Sequence, residues 1–230
     1  RSVSRGLGDV YKRQMLQFNR MLYEMPCVKA VPTFNMEKKN EGFKTASKVQ
    51  YVASGGCFEK EGQEYTGALK VLKTIFSYDY LWVNVRVTGG AYGCMCSFSR
   101  NGYGFFTSYR DPNLSATLDV YKKAAEYVRN FEAGQRDMTK YIIGTISGID
   151  QPLEPAALGD RSFHAYQSGV TVEMIQKERN QVLDATEETI RSLAGYIETM
   201  MDAGTVCAIG NDRKLEEEKE LFKQVSSLTQ

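Results

Sequence analysis

Apolar residues in this chain recur at three- and four-residue steps through several long stretches and alternate through a few short ones, so both helices and strands are expected. The most regular stretch is 114–131, where Leu118, Tyr121, Ala125 and Val128 share one face. Asn113 or Ser115 suits its N-cap, and Gly134 lies just past its end. A second helix is predicted over 136–149, around Met138, Tyr141, Ile142 and Ile146, with Gly148 and Pro152 ending it. Ala68, Leu69, Leu72, Ile75 and Phe76 line one face of a run that starts near Tyr65 and lasts to Val87. Further helices are expected over 161–166, over 171–184 with Thr171 as cap, over 185–202, and over 211–228 with Leu215, Leu221, Phe222, Val225 and Leu228 inward. Residues 15–31 show helical spacing until Pro26 and Pro32 break it, and 57–64 and 151–160 read as loops.

Alternation predicts a strand over 48–53, ended by Ser54-Gly55-Gly56, and a short buried strand over 205–209 between Gly204 and Gly210. Residues 91–99 and 103–110 suit a hairpin turning at Arg100-Asn101-Gly102, which Asp111-Pro112 closes. The charged stretch 34–47 reads as a linker. Strands and helices alternate too unevenly for a doubly wound sheet. The expectation is therefore an α+β fold, a mixed, mainly antiparallel sheet with helices packed on one face.

At 230 residues, with 42% hydrophobic and 25% charged positions, a sizeable core is available. The net charge of +1 draws the chain neither to nucleic acid nor to an anionic membrane surface. No apolar run approaches the ~20 residues needed to span a bilayer. Five scattered cysteines (Cys27, Cys57, Cys94, Cys96, Cys207) read as reduced thiols, which suits a cytoplasmic location. Residues 1–14 are basic, lack sustained periodicity and resemble a translated sequencing-adapter scar. On that expectation Met15 need not be a true start, 15–47 is a linker or part of a preceding segment, and 48–230 is one domain of a longer protein.

Little catalytic chemistry is visible. A single histidine, His164, rules out paired-histidine zinc motifs, and no G-x-S-x-G accompanies it. Cys94-Met95-Cys96 could turn two sulfurs the same way on a strand, but no second ligand pair lies nearby in sequence. Gly89-Gly90-Ala91-Tyr92-Gly93 follows a helix rather than a strand and lacks the P-loop Lys-Ser/Thr, so it is no phosphate cradle. Glu216-Glu217-Glu218 reads as a solvated helix face. Arg86 and Tyr92 remain, on either side of the glycine pair. A guanidinium fork and a phenol suit gripping a carbonyl or oxyanion, while a salt-bridged Arg and a core Tyr are the plain alternative.

Arg86-Val-Thr-Gly-Gly-Ala-Tyr92-Gly, followed by Ser108-Tyr-Arg-Asp-Pro112 and a helix bearing Thr117-Leu118, resembles the last domain of the presequence-protease branch of the pitrilysin/insulinase metallopeptidases, the inverted zincins. The resemblance covers about 48–228. It implies large peptidases of four similar α/β domains, closing around unfolded peptides, with the zinc, its ligands and the glutamate base in the first domain. The last domain supplies an Arg and a Tyr that touch substrate near the scissile bond, a role that falls here on Arg86 and Tyr92. Asn84 and Thr88 depart from the acidic residue and Lys often found around this arginine, which affects substrate preference rather than the grip. The implied partners are the N-terminal half of the same polypeptide and a peptide substrate; zinc is the implied cofactor, held outside this chain. Alone, the chain is expected to be inactive. The alternative is a non-catalytic subunit or scaffold of a heterodimeric peptidase.

Overall fold

A computed structural model describes residues 3–23, 37, 39–60 and 63–228. It divides into two units, Arg1–Glu37 and Lys38–Gln230. The first holds one described element, helix α1 (Val3–Tyr23), exposed at every position from Val10 to Leu22. The helix runs through residues 3–14, where the sequence pattern predicts none. Met25, Pro26 and Pro32 lie outside the described residues.

The second unit is built on a six-stranded sheet of order β3-β4-β2-β5-β1-β6. Its strands are β1 (Glu41–Thr45), β2 (Gln50–Cys57), β3 (Gly93–Phe98), β4 (Tyr103–Asp111), β5 (Thr205–Asn211) and β6 (Gln224–Ser227). The β3/β4, β4/β2 and β2/β5 pairings are antiparallel; β5/β1 and β1/β6 are parallel. The expected mixed, mainly antiparallel sheet is therefore present, with α2 (Ala68–Ile75), α3 (Ser115–Arg129) and α8 (Ala194–Asp202) against β2, β3 and β4.

The pleat explains this one-sided packing. Successive side chains of a strand point to opposite faces, and the register aligns Gly42, Ala208, Val52, Ser108 and Cys94 in one inward row across five strands. Above that row Leu69, Leu72, Ile75 and Phe76 are fully buried, each worth about 1.5–3 kcal/mol relative to exposure. Phe76 meets Phe106 edge-on at 5.4 Å, and the Tyr121 hydroxyl donates to the Val52 carbonyl at 3.4 Å. The opposite face stays open: Tyr51, Met95, Tyr103, Phe105 and Ile209 are all exposed there.

Helices α4 (Gln135–Ile149), α5 (Pro155–Gln167), α6 (Val172–Leu183) and α7 (Glu187–Ser192) complete the layer. The Thr171 hydroxyl accepts the Met174 N–H at 3.3 Å, the expected cap of α6.

Several expectations are corrected. The supposed linker contains β1, which lies between β5 and β6. Gly55 and Gly56 continue β2 instead of ending it, because a Cβ on Gly55 would stand 2.5 Å from the Gly104 carbonyl oxygen and one on Gly56 2.5 Å from that of Met200. Gly210 likewise lies inside β5. The loop over 151–160 is cut short by α5, whose Pro155 occupies the first turn, where a missing N–H costs nothing. Residues 185–202 form two helices, α7 and α8, divided at Leu193. The terminal helix is only α9 (Asp212–Glu217). A 3₁₀ turn (Lys219–Leu221) follows, and then β6 pairs with β1. Neither Asn113 nor Ser115 caps α3; the Asn113 side chain donates instead to the Gly89 carbonyl at 2.6 Å.

Candidate functional site

The helix begun by α2 widens into two π-helical segments, Phe76–Tyr80 and Trp82–Thr88, before the glycine pair stops it. π-helical turns are uncommon and frequent at functional sites. Here the widened turns set Arg86 against Trp82, with the guanidinium 4.0 Å from the ring centre, a cation–π geometry. Gly89 donates to the Asn84 carbonyl at 3.0 Å, and Ala91 to that of Val85 at 3.1 Å. Gly90 then takes φ 81°, which carries the chain into β3.

Tyr92 stands just past that bend with 58% of its surface exposed. Its ring packs on Tyr109 at 5.4 Å, edge to face, and Tyr109 fills the space that a Cβ on Gly93 would need. The Arg110 guanidinium lies 5.6 Å from the Tyr92 ring centre. The plain alternative for the pair, a salt-bridged Arg and a core Tyr, is not what the fold contains. Among the described residues Arg86 has no carboxylate partner, and Tyr92 lies in solvent. Both side chains therefore keep hydrogen-bond donors unspent at one end of the hairpin.

A buried acid fixes this corner. Asp111 is fully buried and accepts from the Ser108 hydroxyl at 2.6 Å, the Thr117 hydroxyl at 2.7 Å and the Asn113 N–H at 2.9 Å. Three donors satisfy a carboxylate that would otherwise be costly to bury. The network ties the end of β4 to the start of α3, and Asn113 ties both to the glycine bend.

The remaining candidates lack chemistry. Cys94 and Cys96 lie on the inward face of β3. Burial pushes the Cys94 thiol up to about 11, with the nearby Arg86 charge offsetting part of that rise, and pushes Cys96 to about 12. Thiols held protonated are poor ligands and poor nucleophiles. Among the described residues no group of three His, Cys, Asp or Glu side chains is placed to hold a metal ion. His164 is exposed on α5 beside a cavity of about 220 Å³ that Lys70, Arg100, Arg161 and Arg179 also line. The Ser168 hydroxyl donates to the His164 main-chain carbonyl and not to its ring, so no serine–histidine pair forms. Glu218 is not simply solvated: it accepts the Ser115 N–H at 2.9 Å and pairs with Lys214. Arg110 escaped the sequence reading, because an arginine at a strand end carries no signal of its own.

Comparison with known proteins decides the family. Residues 40–212 match the PreP C-terminal domain. The chain belongs to that family. It is 45% identical over 195 residues to protein HypA of Clostridium perfringens, covering 85% of this chain and 20% of that protein. It is 36% identical over 174 residues to presequence protease 1, chloroplastic/mitochondrial, of Arabidopsis thaliana, covering 75% of this chain and 16% of that protein. The chain thus spans a fifth or less of the length of these relatives. Its fold is similar to a peptidase M16 inactive domain from Pseudomonas fluorescens (TM-score 0.59, 14% identity, 82% of this chain and 47% of that one). It is also similar to pitrilysin (TM-score 0.55, 12% identity, 75% of this chain and 20% of that one). This presequence-protease C-terminal domain is thus of the M16 peptidase fold, and the recognition drawn from Arg86 to Pro112 agrees with it.

Proposed function

We propose that this domain is the substrate-gripping C-terminal part of a zinc metalloendopeptidase that degrades short unfolded peptides. The observation that carries the reading is the bend itself: an Arg86 guanidinium with no carboxylate partner and an exposed Tyr92 phenol, both held on a rigid corner. Zinc and its ligands would belong to an N-terminal part of the same polypeptide, since the described residues offer the metal no place.

Within this chain the chemistry is positioning and charge stabilisation. Arg86, held against Trp82, offers a planar fork to a peptide carbonyl. Tyr92 offers one O–H whose value rises as the scissile oxygen gains charge, because a donor aimed at developing charge stabilises the transition state more than the ground state. Alone the domain binds and orients without cleaving. The open sheet face with Tyr51, Met95, Phe105 and Ile209 is apolar enough to lie against other parts of the enzyme or its peptide. No described helix is long and apolar enough to cross a membrane, and the four described cysteines are free thiols. Free thiols are consistent with a reducing compartment such as the cytoplasm.

The test is Tyr92→Phe in the full-length polypeptide. The expected result is a kcat lowered about 10- to 1000-fold with KM changed little. Wild-type turnover in that variant would remove the role. The reading as a non-catalytic subunit instead predicts that no zinc peptidase motif lies elsewhere in the same reading frame.

A further inference from the structure

Among the described residues Arg110 is the one non-glycine position with positive φ, at 49°. Left-handed backbone crowds a Cβ, so glycine is the favoured occupant and asparagine the usual substitute. The other end of the same hairpin shows the ordinary solution, Gly102 at φ 80°. If only the backbone mattered at 110, arginine would be a poor choice, and an observed outlier of this kind points to its side chain.

That side chain is aimed at the site. Its guanidinium lies 5.6 Å from the Tyr92 ring centre and forms no ion pair or side-chain hydrogen bond among the described residues. The Arg110 carbonyl accepts the Tyr92 N–H at 3.3 Å, so residue 110 holds Tyr92 through backbone and side chain together. Directly after it, the fully buried Asp111 and its three donors keep the turn in place. The corner is therefore anchored by one residue and presents the next.

We propose that Arg110 is a positioning residue for Tyr92, one that fixes the phenol's aim and draws electron density from its ring, so that the O–H donates better to a developing oxyanion. This rests on the role proposed for Tyr92 above. A cation near an aromatic ring polarises it, and a donor's value in the transition state depends on being oriented beforehand.

The experiment compares Arg110→Gly, Arg110→Asn, Tyr92→Phe and the Arg110→Gly/Tyr92→Phe double variant in the full-length polypeptide, recording kcat, KM and thermal midpoint on one unstructured peptide. Glycine and asparagine both accept the left-handed backbone, so the fold should keep its midpoint. Both single variants at 110 are expected to lower kcat about 10-fold with KM within about 2-fold. In the Tyr92→Phe background, Arg110→Gly should cost less than about 2-fold, because the hydroxyl it aims is gone. Full kcat in both 110 variants beside a slow Tyr92→Phe would overturn the inference and leave the role of Tyr92 intact. An equal loss with and without the hydroxyl, or a kcat loss matched by a fallen midpoint, would overturn it too. Wild-type turnover in Tyr92→Phe would instead remove the reading on which it rests.

Discussion

The two ends of the β3–β4 hairpin meet the same demands differently. At the closed end the turn takes its positive φ at Gly102, and the turn's Arg100 is spent on Glu178 through bonds of 2.5 and 2.8 Å. Lys70 reaches the same carboxylate at 3.0 Å. At the open end positive φ falls on an arginine as well as on Gly90, and Arg86 and Arg110 face aromatic rings instead of acids. One end pairs its arginine with an acid, as a structural corner does. The other leaves donors free beside an exposed phenol, as the proposed binding role requires, and puts the buried Asp111 underneath to hold them. Pairing of charge, more than charge itself, separates the structural corner from the proposed binding corner.

The contrast can be broken at its strongest point first. Asp111→Ala leaves two buried hydroxyls without their acceptor, so it should destabilise the domain by about 3 kcal/mol in urea unfolding. A loss well under 1 kcal/mol would mean the open end is not anchored from below.

Glu178→Gln sharpens the closed end. Burial works to raise the Glu178 pKa, but hydrogen bonds from Arg100 and then Lys70 outweigh it and hold the carboxyl below its usual 4.5. A depressed acid pKa contributes stability above the unfolded value and loses it as pH falls through the folded one. Glu178→Gln should therefore cost about 2 kcal/mol near neutral pH. The gap between the two proteins should begin to close as pH falls below 4.5 and vanish once it has passed below the depressed folded value; a gap unchanged through that acid range would show that the pair is not electrostatic.

Gly102→Ala should cost about 1 kcal/mol in the same assay, since it places a Cβ at left-handed φ beside Glu59. An unchanged midpoint would show that the turn yields more readily than its geometry implies.

What the sequence disclosed follows the reach of each signal. The core face of α2, the hairpin and the Thr171 cap rest on residues a few positions apart, and all were legible. β1 was not, because Glu41-Gly-Phe-Lys-Thr45 is a strand only through neighbours some 165 residues onward in β5. Gly42 is buried beneath the Phe222 ring, which no local pattern reports. β6 read as helix because Leu221, Phe222, Val225 and Leu228 fit that spacing, and its pairing with β1 overrode them. Gly55 and Gly56 looked like a stop because their need for close backbone approach is tertiary. Within the proposed site, Arg86 and Tyr92 were singled out through the motif around the glycine pair. Arg110 was not singled out, since nothing in an arginine announces left-handed backbone.

The most direct measurement sets Arg86→Ala beside Arg100→Ala, recording turnover of the full-length polypeptide and thermal unfolding for each. The account predicts that Arg86→Ala loses at least about 10-fold in kcat/KM while its midpoint stays within about 2 °C. It predicts that Arg100→Ala keeps turnover within about 2-fold and falls by at least about 4 °C. Equal effects of the two changes on both readouts would contradict it.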